Sequence, residues 1–216
     1  MLGNAISYWR NLMTTILHID SSILGDNSVS RSLTAEIVDK QLALHPGATV
    51  LRRDLVEDAL LHLSPSHLAV FQGAAQPSPE LGQDIAQGGG YIDELLAANI
   101  IVIGSPMYNF SIPSQLKGWL DRVLVAGRTF RYTDHGPEGL LPKGKKVFIA
   151  STRGGIYTGA SPVAGLDHQE SLLIAALHFI GLTDVTVVRA EGLALGDDAK
   201  GAAIAQAKST IAAISA

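Results

Sequence analysis

Five short strand-like runs alternate with stretches of helical spacing along this chain, and that alternation constrains the fold more than any other feature. The runs are Thr15–Ile19, Thr49–Arg53, Ile100–Ile103, Lys146–Ala150 and Asp184–Val188. Ile100–Ile103 is apolar without a break, the pattern of a strand buried on both faces. From Ser30 to Leu44, residues Leu33, Ile37, Val38, Leu42 and Leu44 recur at helical spacing, and His45-Pro46-Gly47 stops the pattern. Tyr91–Ala98, Leu116–Val125, His168–Phe179 and an alanine-rich C-terminal segment are the other helical stretches. Asp54–Gly90 holds one or two helical segments interrupted by Pro65, Pro77, Pro79 and Gly88-Gly89-Gly90. The glycine triplet is expected to be a locally strained helix or loop rather than a domain boundary. The order β-α-β-α-β-α-β-α-β predicts an α/β fold with a parallel sheet and helices on both faces.

Composition removes several classes of function. The chain has 216 residues, 47% of them hydrophobic, and contains no cysteine. A disulfide framework, a thiolate metal site and a cysteine nucleophile are excluded together, and the composition fits a reducing, cytoplasmic setting. The net charge of −4 and the absence of Lys/Arg runs offer nothing to nucleic acid. No apolar stretch approaches the ~18 residues of a membrane span. The histidines are scattered without metal-ligand spacing, so no metal is expected. Met1–Leu12 lacks the continuous apolar segment of a secretory leader and is expected to be a dispensable extension, with residues 13–216 forming one domain.

Three unusual loops follow the first, third and fourth strands. In a doubly wound sheet of order 2-1-3-4-5 those strands are adjacent where strand order reverses, and ligands bind at their carboxyl ends. The first loop, Ser21 to Ser30, places Ser22, Ser28, Val29 and Ser30 where the chain enters a helix. Hydroxyls and free N–H groups there can hold a phosphate; the plainer reading of Ser28 or Ser30 is a helix cap. The second loop contains Pro106, Met107, Tyr108, Asn109 and Phe110. Large apolar groups beside an amide suit a planar heteroaromatic ring, and would equally serve as a plug for the core. The third loop contains Thr152, Arg153, Gly154 and Gly155. Paired glycines allow close backbone approach to a ligand or simply a flexible turn. Arg153 either neutralises ligand charge or bridges a carboxylate. Neither G-x-x-x-x-G-K-[ST] nor G-x-G-x-x-G occurs, so a Walker site and a dinucleotide fingerprint are both unsupported. Asn109-Phe110-Ser111 matches a glycosylation sequon but lacks the secretory context that would give it meaning.

Several segments together resemble the bacterial FMN-dependent NADH-azoreductase and quinone-reductase family, with its flavodoxin-like fold. They are Asp20-Ser21-Ser22-Ile23-Leu24 with Ser28-Val29-Ser30, Pro106-Met107-Tyr108-Asn109-Phe110, Thr129-Phe130-Arg131-Tyr132-Thr133 followed by Gly136-Pro137-Glu138-Gly139-Leu140, and Thr152-Arg153-Gly154-Gly155. The resemblance runs from Met13 to the C-terminal region. It implies one FMN per subunit, with its phosphate on Ser22 and the Ser28–Ser30 loop and its ring against Met107–Phe110 and Thr152–Gly155. It also implies NADH or NADPH as co-substrate, quinone and azo acceptors, and a homodimer with sites where subunits meet. With one planar surface beside the flavin and no dinucleotide fingerprint, donor and acceptor are expected to share a pocket in turn, a two-electron ping-pong scheme. Val29 stands where glutamine is common in the family and Thr152 where serine is common. Asn109, Tyr132 and His168 are candidate substrate contacts; His168, at a helix start, reads more readily as a solvated or capping residue. Asp54–Gly90 and Thr129–Leu140 exceed what a minimal fold of this type needs, and are expected to build an interface or a pocket wall. The rival readings are a single-electron carrier of flavodoxin type and a flavin-binding regulatory subunit.

Overall fold

Strand β1 (Thr15–Asp20) is buried along almost its whole length, and its residues divide between two hydrophobic cores. Leu17 and Ile19 join one core and Ile16 the other, as the two-residue period of a strand requires. The structure, a computed structural model, describes residues 13–215; the extension expected at Met1–Leu12 lies outside them. β3 (Ile100–Pro106) and β6 (Lys146–Thr152) repeat the division, sending Ile101, Ile103, Val147 and Ile149 to the first core and Ile100, Val102, Phe148 and Ala150 to the second. The first core takes its helical side chains from α3 (Pro79–Ala97), α4 (Ser114–Val123) and α5 (Gln169–Phe179). The second takes them from α1 (Val29–Leu44) and α6 (Asp197–Ala212).

β2 (Thr49–Asp54) and β7 (Asp184–Ala190) complete a five-stranded parallel sheet in the order β2-β1-β3-β6-β7. That is the expected order, with two further strands inserted in sequence between the third and fourth. The insertion is an antiparallel hairpin, β4 (Phe130–Thr133) with β5 (Gly136–Gly139), lying in the Thr129–Leu140 segment. It docks on the end of α5. The Phe130 ring centroid is 4.6 Å from that of Phe179, and a Cβ on Gly139 would sit 2.2 Å from the Gly181 nitrogen. The sheet strands also run past their apolar segments. Asp20 pairs with Asp54, Ser105 with Ser151 and Pro106 with Thr152, so ladder pairing carries polar residues to the carboxyl edge.

The Asp54–Gly90 stretch contains α2 (Pro65–Phe71), entered through a capping box at Ser64, and the first half of α3. The local strain expected at Gly88-Gly89-Gly90 is not there. The helix is unbroken and none of the three glycines has positive φ. Gly88 is where α4 crosses: a Cβ there would lie 2.9 Å from Arg122 Cδ. Arg122 is buried, and donates to Asp84 Oδ2 at 2.7 Å and to the Leu61 carbonyl at 2.7 Å. His67 Nε2 lies 3.0 Å from the same carboxylate. Burial opposes ionisation of Asp84, but hydrogen bonds from His67, the Leu61 N–H and Arg122 outweigh it and hold the pKa below its ordinary value. Among the described residues no helix is long and apolar enough to cross a membrane.

Candidate functional site

The first loop is fixed to its neighbours before it reaches α1. Ser21 Oγ donates to the Gly104 carbonyl at 2.6 Å, tying the end of β1 to β3. Thr34 Oγ1 donates to Asp20 Oδ1 at 2.8 Å, and a Cβ on Gly104 would crowd both side chains. Ser28 caps α1, its hydroxyl accepting from the Arg31 N–H at 3.3 Å while standing 3.0 Å from Ser30 Oγ. The N–H groups of Val29 and Ser30 lie in the first turn, where a helix provides no acceptor of its own. Arg31 donates through Nη2 to the Ser22 carbonyl at 2.8 Å and to Asp54 Oδ1 at 2.8 Å, so one guanidinium holds the loop against the end of β2. The Arg31 hydrogen bond lowers the Asp54 pKa, against the opposing effect of burial.

The second loop is a tight turn. Tyr108 and Ser111 exchange backbone hydrogen bonds at 2.9 and 3.1 Å, and between them Asn109 (φ 49°) and Phe110 (φ 72°) are both left-handed. Asparagine tolerates that region; for a bulky aromatic residue it is a strained conformation. The Tyr108 hydroxyl accepts from the Ile23 N–H at 3.2 Å and lies 3.3 Å from Ser22 Oγ, joining the second loop to the first. Met107 N–H donates to the Thr152 carbonyl at 2.7 Å, joining it to the third.

In the third loop Arg153 is almost wholly buried and its guanidinium is occupied by protein groups. Nη1 donates to Asp167 Oδ2 at 2.5 Å and lies 3.6 Å from Glu191 Oε1; Nη2 donates to Ser151 Oγ at 2.8 Å and to Glu170. Burial opposes ionisation of Asp167, but the Arg153 hydrogen bond outweighs it and lowers the pKa. The carboxylates bridged by Arg153 are buried or half-buried ones, and since its side chain is wholly covered, what the residue presents to the loop surface is backbone. A fourth loop, after β7, is laced onto this one: Gly192 N–H donates to the Gly155 carbonyl at 2.9 Å, and Ala194 N–H to that of Gly154 at 3.0 Å.

These loops enclose a cleft of about 260 Å³ at the carboxyl ends of the strands. Ser22, Ser28, Val29, Pro106, Met107, Tyr108, Thr152, Arg153 and Gly154 all line it. The other expected residues do not. Ser30 is buried behind Ser28, and Asn109 and Phe110 form the tip of their turn. Gly155 packs against Tyr157. His168 is exposed at the start of α5, and its N–H donates to the Phe110 carbonyl at 3.0 Å, which places it against the second loop. Tyr132 is 74% exposed on the hairpin, with its ring edge-on to Phe130, and is not brought to the cleft.

Sequence reasoning missed Leu193, Ala194 and Lys200, which close one side of the cleft with Leu24 and Asn27 of the first loop. A signal was present. Gly192 and Gly196 bracket the turn after the last sheet strand, and carboxyl-end loops were already the place to look.

The lining fits an FMN. Ser22, Ser28 and the free N–H groups at the start of α1 form a donor set for a phosphate. Leu24, Pro106, Met107, Leu193 and Ala194 provide apolar surface for a planar ring. Gly154 keeps that surface open, since a Cβ there would lie 3.3 Å from Ala194 Cβ.

Comparison with known proteins agrees with this geometry. A family model described as a flavodoxin-like fold matches residues 14–214. An FMN-dependent NADH:quinone oxidoreductase of Sinorhizobium fredii is 56% identical over 197 residues, covering 91% of this chain and 95% of that one. One from Rhizobium meliloti is 51% identical over 197 residues, with the same coverage of both chains. Among solved structures, an FMN-dependent NADH-azoreductase of Bacillus anthracis in complex with FMN superposes with a TM-score of 0.81 at 25% identity, covering 92% of this chain and 98% of that one. The chain belongs to this flavodoxin-like family, together with the FMN-dependent NADH:quinone oxidoreductases.

Proposed function

We propose that the protein is an FMN-dependent NADH:quinone oxidoreductase that also reduces aromatic azo compounds. The observation that carries this reading is the meeting of the Ser22–Val29, Pro106–Tyr108 and Thr152–Gly154 segments in one cleft at the carboxyl ends of β1, β3 and β6. FMN, when bound there, would supply the two-electron hydride chemistry that links a nicotinamide to an acceptor. The chain's own part is binding, orientation and exclusion of water. Ser22, Ser28 and the Val29 and Ser30 N–H groups hold the phosphate end. Met107 and Tyr108 on one side and Thr152 to Gly154 on the other position the ring, with their relative placement set by the Met107–Thr152 hydrogen bond. Asn109, Phe110 and His168 stand at the second loop, where an incoming acceptor would meet the chain.

The wider architecture belongs to the same proposal. Residues 13–216 form one domain with helices on both faces of the sheet; alternation of β1, β3 and β6 side chains between two cores supports this. The working unit is a homodimer in the cytoplasm, with each site completed by the second copy. Two observations support the dimer. The cleft of about 260 Å³ falls below the roughly 300–1,000 Å³ of pockets that bury most of their ligand. Leu61, Leu63, Leu68 and Phe71, around α2, are each at least 40% exposed.

The test is reconstitution of purified protein with FMN, followed by steady-state oxidation of NADH with benzoquinone as acceptor. Multiple turnovers per flavin are expected, dependent on both substrates. Tight FMN binding with no turnover would overturn the reading in favour of a carrier or regulatory subunit.

A further inference from the structure

The helices α1 and α6 lie side by side in the second core with a fixed register. Lys208 Nζ of α6 is 2.6 Å from Glu36 Oε1 of α1, and Lys40 Nζ of α1 donates to the Ala212 carbonyl of α6 at 3.0 Å. Both contacts join residues 172 positions apart. A constant offset means that the helices run parallel. Eight residues back from Lys208 and Glu36, the same offset pairs Lys200 with Ser28. The cleft agrees, because Lys200 lines it together with Asn27, Ser28 and Val29.

Lys200 stands at an electrostatically unfavourable end of its own helix. It lies in the first turns of α6, where the helix dipole favours acids and disfavours cations, and where Asp197 and Asp198 already sit. Those two aspartates add negative charge to this end of α6, which Lys200 offsets. Among the described residues lining the cleft, the other cationic side chain is Arg153, whose guanidinium is taken up by Asp167, Glu170 and Glu191. Val29 can give only its backbone N–H. A phosphate monoester bearing a charge of about −1.5 to −2 would then face hydroxyls and amides, with Lys200, among the described residues, as the cleft-lining cation that no carboxylate pairs; Arg31, nearby in α1, is held by Asp54.

We infer that Lys200 is a phosphate-binding residue of the cofactor site, holding the FMN phosphate from the α6 side while Ser28 and the α1 N–H groups hold it from the other. The inference rests on the flavin-site reading above. It makes Lys200 a determinant of FMN over riboflavin, with no demand on the ring contacts.

The experiment measures dissociation constants for FMN and for riboflavin by quenching of flavin fluorescence in wild type, Lys200→Met, Lys200→Arg and the Ser28→Ala/Ser30→Ala double variant. Lys200 is exposed, so its substitution leaves the fold intact, which circular dichroism checks. Lys200→Met is expected to weaken FMN about tenfold and leave riboflavin unchanged, and Lys200→Arg is expected to restore most of the loss. Added salt should weaken FMN binding more in wild type than in Lys200→Met. If Lys200→Met leaves FMN affinity unchanged, or lowers both flavins equally, while the serine variant weakens FMN alone, the assignment of Lys200 is overturned and the site stands. If neither variant separates FMN from riboflavin, the phosphate-site reading itself falls.

Discussion

Phe110 is the residue whose conformation is hardest to explain by folding alone. Its left-handed φ of 72° has an energetic cost of about 1–2 kcal/mol, while its ring is 44% exposed and meets Tyr157 edge-on at 6.3 Å. Relief of that strain exceeds the roughly 0.5–1 kcal/mol that glycine loses through its freer unfolded chain. Phe110→Gly is therefore expected to melt at the same temperature as wild type or slightly above it, with a lower kcat/KM for quinone. A melting point several degrees lower would show that the ring is needed for packing. At this scale the sequence was partly legible. Ser28 could be read as a cap or as a phosphate ligand, and it caps α1 while lining the cleft. The burial of Arg153 was not legible, because its partners Asp167, Glu170 and Glu191 lie 14, 17 and 38 positions away.

Elements were read well where burial dictated composition and less well where pairing or docking did. Each sheet strand was recognised from its apolar run, but each ended too early, since hydrogen-bond pairing tolerates the polar residues that carry the site. The hairpin escaped because it packs on α5 rather than adding to the sheet. Its docking has no slack. A Cβ on Gly139 would meet the Ile180 and Gly181 backbone at 2.2–2.6 Å, and backbone cannot rotate away. Gly139→Ala is expected to lower stability by about 1–3 kcal/mol or more, read from urea melts, and an unchanged midpoint would refute the close approach. A second expectation concerns how β2 is held to the first loop. Asp54 has a folded pKa below its ordinary value of about 3.9, chiefly through the Arg31 hydrogen bond. The unfolded chain therefore binds more protons in that range, and stability rises with pH through it. The advantage of wild type over Asp54→Asn should be full above about pH 5 and should vanish as acidity passes through the folded pKa. An advantage that does not begin to shrink as the solution is acidified from about pH 5 would show that charge is not its source.

For the whole molecule, the order of the sheet follows from a pattern of alternation, and the position of the site follows from that order. The expected order already makes the last two strands neighbours, so a fourth loop beside the third was open to inference. The bonds that lace them, from the Gly192 and Ala194 N–H groups, are backbone contacts that no side-chain pattern marks. The kinetic scheme follows from the single cleft those loops share. Donor and acceptor should use it in turn, giving parallel double-reciprocal lines when NADH is varied at several fixed quinone concentrations. Intersecting lines would require a separate nicotinamide site.

The apolar side chains around α2 carry a consequence for solution behaviour. Leu61, Leu63, Leu68 and Phe71 stand in water on an isolated chain, so if the proposed dimer covers them, mass action would couple folding to association. The melting temperature should rise with protein concentration, measured from about 0.5 to 50 μM, and become independent of it once that face carries aspartate in place of Leu68 and Phe71. A protein that folds as the proposed dimer would have no single stability, but one for each concentration at which it is kept.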